Sequence, residues 1–243
     1  MNRVTQNLIL TLLGCAVLRI SAFSTTYLNY VKPGFRPFLI GAGTVLVVLG
    51  VIGVFQAYRL EKGAAERETH GHAHGHAHGG PRVAWLMCLP VFAIFLIAPP
   101  ALGSFAASRD DTPPPRDQTL NSFTPLTGAG PVDMPIGEFI GRAWDDDKKS
   151  LTGREVRLTG FVVPAKRKGQ WYVTRMQIAC CAADAFPLKV SVRGLEMPPA
   201  DTWVEVTGTW IPQTFGKMPN GVIYPRLTGK SLTRVTPPDE PYE

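Results

Sequence analysis

Long apolar runs, separated by short polar segments, fill the first hundred residues of the chain. Residues 38–57 carry no charge, and these twenty residues are about the length of helix that crosses a hydrocarbon core of about 30 Å. Residues 83–108 form a second uncharged run. Residues 4–23 form a third apolar run, in which Arg19 is expected to reach toward the membrane surface. The pattern predicts three transmembrane helices within residues 1–107.

The apolar run nearest the N-terminus has a second interpretation. Leu12-Leu13-Gly14-Cys15 resembles the cleavage site of a lipoprotein signal, which ends in an acylated cysteine. However, polar residues interrupt the run before this tetrapeptide, and apolar sequence continues past Cys15 instead of giving way to a polar linker. A membrane span is therefore the favoured interpretation.

A different pattern follows the apolar runs. Residues 108–130 are rich in proline and predict a semi-rigid linker. Residues 135–146 place apolar side chains at helical spacing and predict one short amphipathic helix. Alternation of apolar and polar positions then predicts five strands. They cover residues 153–163, 171–178, 188–192, 203–210 and 222–235, the last with a break near residues 227–229.

Two of the predicted strands contain similar segments, residues 156–160 and residues 204–208, each of which ends in glycine. Such a glycine permits the bend or bulge with which a small barrel turns a corner. Five short strands preceded by a helix predict a small all-β, OB-like barrel domain over residues 131–236, with residues 237–243 as a tail. An unrelated small antiparallel sandwich is the alternative architecture.

The formal net charge of +6 belongs mostly to the N-terminal part of the chain. Up to Ser108, eight Lys and Arg residues stand against three Asp and Glu, a net of +5, whereas the remainder has 17 against 16, a net of +1. A domain that binds nucleic acid needs a positive patch of its own. We therefore expect no nucleic-acid partner.

The basic residues near the predicted spans also bear on membrane orientation. One side would hold Arg3, Arg59, Lys62, Arg67 and Arg82, and the other Lys32, Arg36, Arg109 and Arg116. Basic residues are more frequent in cytoplasmic segments. The small excess predicts a cytoplasmic N-terminus and an extracytoplasmic C-terminal domain.

All the histidines lie in one loop, residues 69–80, between the second and third predicted spans. They are His70, His72, His74, His76 and His78. Alternating imidazoles separated by glycine and alanine can converge on a zinc, nickel or copper ion. Loops of similar composition occur between the spans of zinc transporters, so this loop is predicted to bind metal, with a dispensable metal buffer as the alternative.

Two adjacent cysteines and an aspartate follow the second predicted strand. Cys180, Cys181 and Asp184 offer two soft ligands and one hard ligand within five residues, a set that suits a metal ion or a redox pair. Adjacent cysteines seldom form a disulfide with each other, because the small ring strains the peptide. The structural alternative is that one thiol is a small buried hydrophobe while its neighbour faces outward.

No arrangement typical of an enzyme accompanies these clusters. The sequence has no glycine-rich phosphate loop and no HExxH motif, and its histidines are confined to one loop. We therefore expect a protein that is not an enzyme, without catalytic residues and without an organic cofactor. Zinc or another divalent transition metal is the expected ligand.

The chain resembles the YcgQ-like family of bacterial membrane proteins, also labelled repeat proteins, over nearly its full length. The resemblance is carried by Tyr30-Val31-Lys32-Pro33 between two apolar runs, the His-bearing loop and Cys180-Cys181-Ala182-Ala183-Asp184 in a β domain. It implies a multi-span permease as partner and a link with zinc homeostasis. It supplies no catalytic residue.

These features predict a multi-pass protein of the cell membrane that is an accessory or regulatory subunit of a permease, with a role in metal homeostasis. Three helices with few polar groups in the membrane do not form a substrate path alone. The alternatives are a membrane-anchored thiol redox protein that uses Cys180 and Cys181, and a non-catalytic envelope module that binds another protein.

Overall fold

The computed structural model describes residues 3–65, 97, 99–110, 123–128, 130–166, 169–212 and 223–243. The chain divides into two compact units, Met1–Tyr27 with Pro33–Pro100, and Leu28–Lys32 with Ala101–Glu243. Five residues near the N-terminus therefore belong with the C-terminal part of the chain. The predicted His loop, most of the third apolar run and most of the predicted linker lie outside the described residues.

The first unit contains two long helices, α1 (Arg3–Ala22) and α2 (Arg36–Ala65). Two segments, Val4–Ala22 and Pro33–Arg59, are long and apolar enough to cross a membrane. Helices at both positions were predicted from the apolar runs. α2 extends beyond its predicted apolar run because the residues that follow are mostly good helix formers.

The two helices pack against each other through small residues. A Cβ atom added at Gly14 would lie 2.8 Å from the carbonyl oxygen of Gly43, and one at Gly50 would lie 2.7 Å from the amide nitrogen of Thr11. Backbones approach this closely only where side chains are absent, which is a packing typical of membrane helices. Large apolar side chains face outward instead; Phe38, for example, is 72 % exposed.

The second unit resumes at Ala101 with a short helix, α3 (Ser104–Arg109). Asp201 holds its start, because its carboxylate accepts hydrogen bonds from the Ser104 amide at 2.5 Å and the Ser104 hydroxyl at 2.7 Å. Ala107 is fully buried in a cluster with Phe161. Residues 101–107, which the sequence assigned to the membrane region, thus pack with the β domain.

A mixed six-stranded sheet forms most of the second unit. Its strands are β1 (Val132–Asp133), β2 (Glu155–Pro164), β3 (Trp171–Gln177), β4 (Phe186–Arg193), β5 (Trp203–Ile211) and β6 (Arg226–Arg234). The order is β1-β2-β3-β4-β6-β5, and β2 also pairs with β5. The β1–β2 and β4–β6 pairs are parallel and the others antiparallel. Strands β2 to β6 therefore form a continuous cycle of pairings, unlike a purely antiparallel sandwich.

One amphipathic helix, α4 (Ile136–Asp145), packs on this sheet and confirms the helix predicted over residues 135–146. Its residues Ile136 and Phe139 are fully buried in the main hydrophobic core. The first amides of a helix have no partner within the helix. Here the Glu243 carboxylate accepts hydrogen bonds from the amides of Ile136 at 3.0 Å and Gly137 at 2.8 Å.

The two glycines singled out in the sequence lie where strands approach each other closely. A Cβ atom at Gly160 would lie 2.5 Å from the carbonyl oxygen of Thr174 on β3. The pairing of β5 with β6 shifts its register between Thr207 and Gly208. The predicted bulge is therefore confirmed at Gly208, and at Gly160 the absence of a side chain permits the close approach.

The end of the chain differs from the sequence prediction in two respects. The strand β6 is continuous through residues 227–229, where a break was predicted, because Leu227 is fully buried in the core. Residues 237–243, predicted as a tail, are tied to the sheet: Tyr242 forms a parallel bridge with Met176 and is 9 % exposed. Backbone pairing of this kind needs no alternating pattern, so the sequence gives no sign of it.

Candidate functional site

The two cysteines lie in the loop between β3 and β4. The strand β3 ends at Gln177, and a single 3-10 turn, Ala182–Asp184, precedes β4. Cys181 occupies the position before this turn with φ −153° and ψ 169°, which is extended backbone. The change from extended to helical backbone turns the loop back on itself and brings Asp184 next to both cysteines.

The Asp184 carboxylate organises the loop. One of its oxygens accepts a hydrogen bond from the Ala179 amide at 2.8 Å, and the other accepts from the Cys180 amide at 2.9 Å. The Cys181 amide lies 3.4 Å from the same second oxygen. Short acidic side chains commonly bond to backbone amides in turns. Asp184 therefore fixes the backbone that carries the two thiols.

The two thiols and the carboxylate converge. The Sγ atoms of Cys180 and Cys181 lie 3.6 Å apart, and both cysteines are free thiols. One ligand atom from each of Cys180, Cys181 and Asp184 lies within 4.8 Å of the others. Cys180 and Asp184 are exposed and Cys181 is half-buried. The structural alternative of one buried thiol thus does not describe this loop, because neither cysteine lies in the core.

The carboxylate also sets the protonation of the site. Hydrogen bonding to the Asp184 carboxylate, followed by the influence of the neighbouring Cys181 thiol, raises the pKa of Cys180 to about 12. The same bond from the Cys180 thiol, together with the backbone amides, lowers the pKa of Asp184 to about 2. At neutral pH the loop without a ligand thus holds a carboxylate beside a protonated Cys180 thiol, whereas reactive cysteines are usually thiolates with a lowered pKa.

A segment from the start of the chain holds this loop from the other side. We name Leu28–Lys32 the strap, because it forms one compact unit with residues 101–243. The Lys32 amide donates a hydrogen bond to the carbonyl oxygen of Cys180 at 3.1 Å, and the Ala182 amide donates one to the carbonyl oxygen of Tyr30 at 2.7 Å. Between them, Val31 and Cys181 form an antiparallel bridge. We name the loop that carries Cys180, Cys181 and Asp184 the ligand loop. The strap therefore pairs with the ligand loop on both sides of Cys181.

Tyr242 anchors the other end of the strap. Its hydroxyl donates a hydrogen bond to the carbonyl oxygen of Asn29 at 2.8 Å and accepts one from the Leu102 amide at 3.1 Å. The backbone beside it pairs with the end of β3, because the Glu243 amide donates to the carbonyl oxygen of Met176 at 2.9 Å. Burial raises the pKa of the Tyr242 hydroxyl, which stays protonated and able to donate.

The structure thus brings together one of the two predicted clusters. One group of side chains in the described ranges has the spacing of metal ligands, and it consists of Cys180, Cys181 and Asp184. His70, His72, His74, His76 and His78 lie outside the described residues. Sequence reasoning missed the strap as part of the site, although Tyr30-Val31-Lys32-Pro33 was noted as a family feature.

Comparison with curated proteins and with solved structures finds no match. Residues 6–110 match the DUF1980 N-terminal domain, and residues 142–243 match the DUF1980 C-terminal domain. The first match contains both long helices and the strap, and the second contains the cysteine loop and the strands β2 to β6. The chain therefore belongs to the DUF1980 family and carries both of its domains.

Proposed function

We propose that this protein is an integral membrane subunit, accessory to a permease, that binds a divalent transition metal ion through Cys180, Cys181 and Asp184. The observation that carries the metal site is the convergence of the three ligand atoms within 4.8 Å. Zinc is the favoured ion, because it accepts both thiolate and carboxylate ligands.

The spacing of the sulfur atoms supports a tetrahedral ion. Two zinc–sulfur bonds of about 2.3 Å at a tetrahedral angle separate the sulfurs by about 3.8 Å. The Sγ atoms of Cys180 and Cys181 lie 3.6 Å apart, close to this value and far from the roughly 2.05 Å of a disulfide. The reduced pair is therefore near the spacing that a bound ion needs.

The number and exposure of the ligands suggest that the ion is handed on. Closed structural zinc sites have four protein ligands, whereas three protein ligands leave one position open. Cys180 and Asp184 are exposed to solvent. A donor from another protein can therefore occupy the open position, as delivery to a permease requires.

The redox alternative uses the same two thiols. Disulfide exchange and metal binding both require the Cys180 thiolate, so the pKa of about 12 that hydrogen bonding to Asp184 gives this thiol does not separate the two functions. An envelope module without a ligand remains the alternative if no metal binds.

The membrane part of the proposal is supported by the surfaces of α1 and α2. In a soluble protein, such apolar helices are buried, but only 11 % of each candidate span is buried here. We place both helices in the cell membrane, add a third span over the uncharged run 83–108, and place residues 131–236 outside the cytoplasm. An impermeant label on a tag placed after Glu243 tests this orientation.

The barrel and the His loop complete the proposal. We interpret the cycle of strands β2 to β6 as an OB-type barrel, because it joins five short strands in a closed order with one parallel contact. The His loop would gather metal on the cytoplasmic side, so transfer to Cys180 and Cys181 would need a pore supplied by the permease.

The metal site can be tested with Co²⁺, whose thiolate complexes absorb in the near ultraviolet. The full-length chain, with its five histidines replaced by glutamine, is expected to bind one Co²⁺ with a thiolate band that Zn²⁺ abolishes. Cys180→Ser with Cys181→Ser is expected to lose the band, whereas Cys15→Ser keeps it as the matched control. A parent chain that gives no thiolate band would overturn the proposal.

A further inference from the structure

Two main-chain hydrogen bonds join the strap to the ligand loop. The Lys32 amide donates to Cys180, and the Ala182 amide donates to Tyr30, so one bond lies on each side of Cys181. These two bonds join the strap to the loop backbone just before and just after Cys181. A shift of the loop backbone relative to the strap therefore changes the length of these bonds.

The strap is also the connection between the two long helices. It follows α1, which ends at Ala22, and precedes α2, which begins at Arg36. The Tyr242 hydroxyl holds its Asn29 carbonyl at 2.8 Å. The strap therefore lies within the short stretch of chain that links the two helices.

A bound ion would draw the ligand loop together. The three ligand atoms are spread over up to 4.8 Å, whereas the edges of a tetrahedral zinc site with sulfur and oxygen ligands measure about 3.5–3.8 Å. Closing the site therefore requires movement of about 1 Å. The strap is bonded to the backbone of this loop at Cys180 and Ala182, so any share of the movement that the backbone takes up acts on the strap.

We infer that the strap positions the ligand loop and makes metal occupancy and the state of the α1–α2 connection depend on each other. This inference rests on the proposed metal site. Because coupling between two sites is reciprocal, the strap raises metal affinity by the same factor by which metal stabilises the strap.

Substitution by proline tests the affinity side of this coupling, because proline lacks the amide that donates the bond. Ala182→Pro removes the bond to Tyr30. Proline is compatible with this position, because Ala182 is the first residue of a helical turn and follows Cys181, which is extended. Lys32→Pro removes the bond to Cys180. Each is expected to weaken Zn²⁺ binding to the full-length, histidine-free chain roughly three- to tenfold, measured by chelator competition. Ala182→Ser and Lys32→Ala keep the amide and are expected to leave affinity unchanged.

Hydrogen exchange of the unaltered chain tests the reciprocal side without any substitution in the strap. Zn²⁺ is expected to slow amide exchange in residues 28–32. The double variant that carries both Cys180→Ser and Cys181→Ser is expected to abolish this effect. If Zn²⁺ binds and the Co²⁺ thiolate band is present, yet exchange in the strap is unaffected, the coupling is refuted while the metal site stands. If the band itself is missing, the metal site fails first.

Discussion

Replacing Tyr242 with phenylalanine removes one hydroxyl that serves two partners. The hydroxyl donates to Asn29 at 2.8 Å and accepts from Leu102 at 3.1 Å, in a residue that is 9 % exposed. Each hydrogen bond contributes about 0.5–1.5 kcal/mol, and the two backbone groups are left without their partner, so we expect a loss of about 2 kcal/mol. In a unit of this size that corresponds to a melting temperature lower by about 4–8 °C.

Tryptophan fluorescence of the full-length chain in detergent measures this loss. Four of the five tryptophans lie in the second unit, namely Trp144, Trp171, Trp203 and Trp210, so most of the signal follows its unfolding. Tyr58→Phe is the matched control, because this tyrosine is 64 % exposed on α2 and its loss is expected to change nothing. A melting temperature within about 1 °C of the parent for Tyr242→Phe would refute the assignment of the strap to the β domain.

Two further predictions concern the sheet and the thiols. Gly160→Ala is expected to destabilise the second unit by about 1–3 kcal/mol, because the added Cβ would lie 2.5 Å from the Thr174 oxygen. Gly130→Ala is the control, because an added Cβ at Gly130 meets open space. Equal denaturation midpoints for the two variants would contradict the close approach at Gly160. Because the pKa of Cys180 is raised to about 12, its alkylation by iodoacetamide is expected to keep rising above pH 10, and Asp184→Asn is expected to accelerate it by lowering that pKa. A plateau near pH 9 in peptide mass spectra would argue against the Asp184 hydrogen bond.

The regular elements were largely predictable, because each leaves a periodic pattern in its own segment. The apolar runs predicted α1 and α2, and alternation predicted all of β2 to β6 to within a few residues at their ends. The two-residue strand β1 is too short to show any period. The break predicted near residues 227–229 was wrong, because Gly229 lies in a continuous strand, against Leu195.

The candidate site was predictable only as far as it is local. Cys180, Cys181 and Asp184 lie within five residues, so their convergence follows from a single turn. The strap is about 150 residues away along the chain and contributes main-chain atoms, which carry no residue-specific signal. No spacing rule could have connected Lys32 with Cys180.

The place of the strap also limits how many times the chain can cross a bilayer. If α1 and α2 both cross, the strap lies on the face where residues 101–243 lie, because the two segments form one compact unit. A chain that leaves this face after Lys32 and is back on it by Ala101 crosses an even number of times in between. α2 accounts for one crossing, and the uncharged run that begins at residue 83 is long enough for the second. If that run crosses as well, the total is odd, and we expect the N-terminus to face the opposite compartment from the cysteine pair.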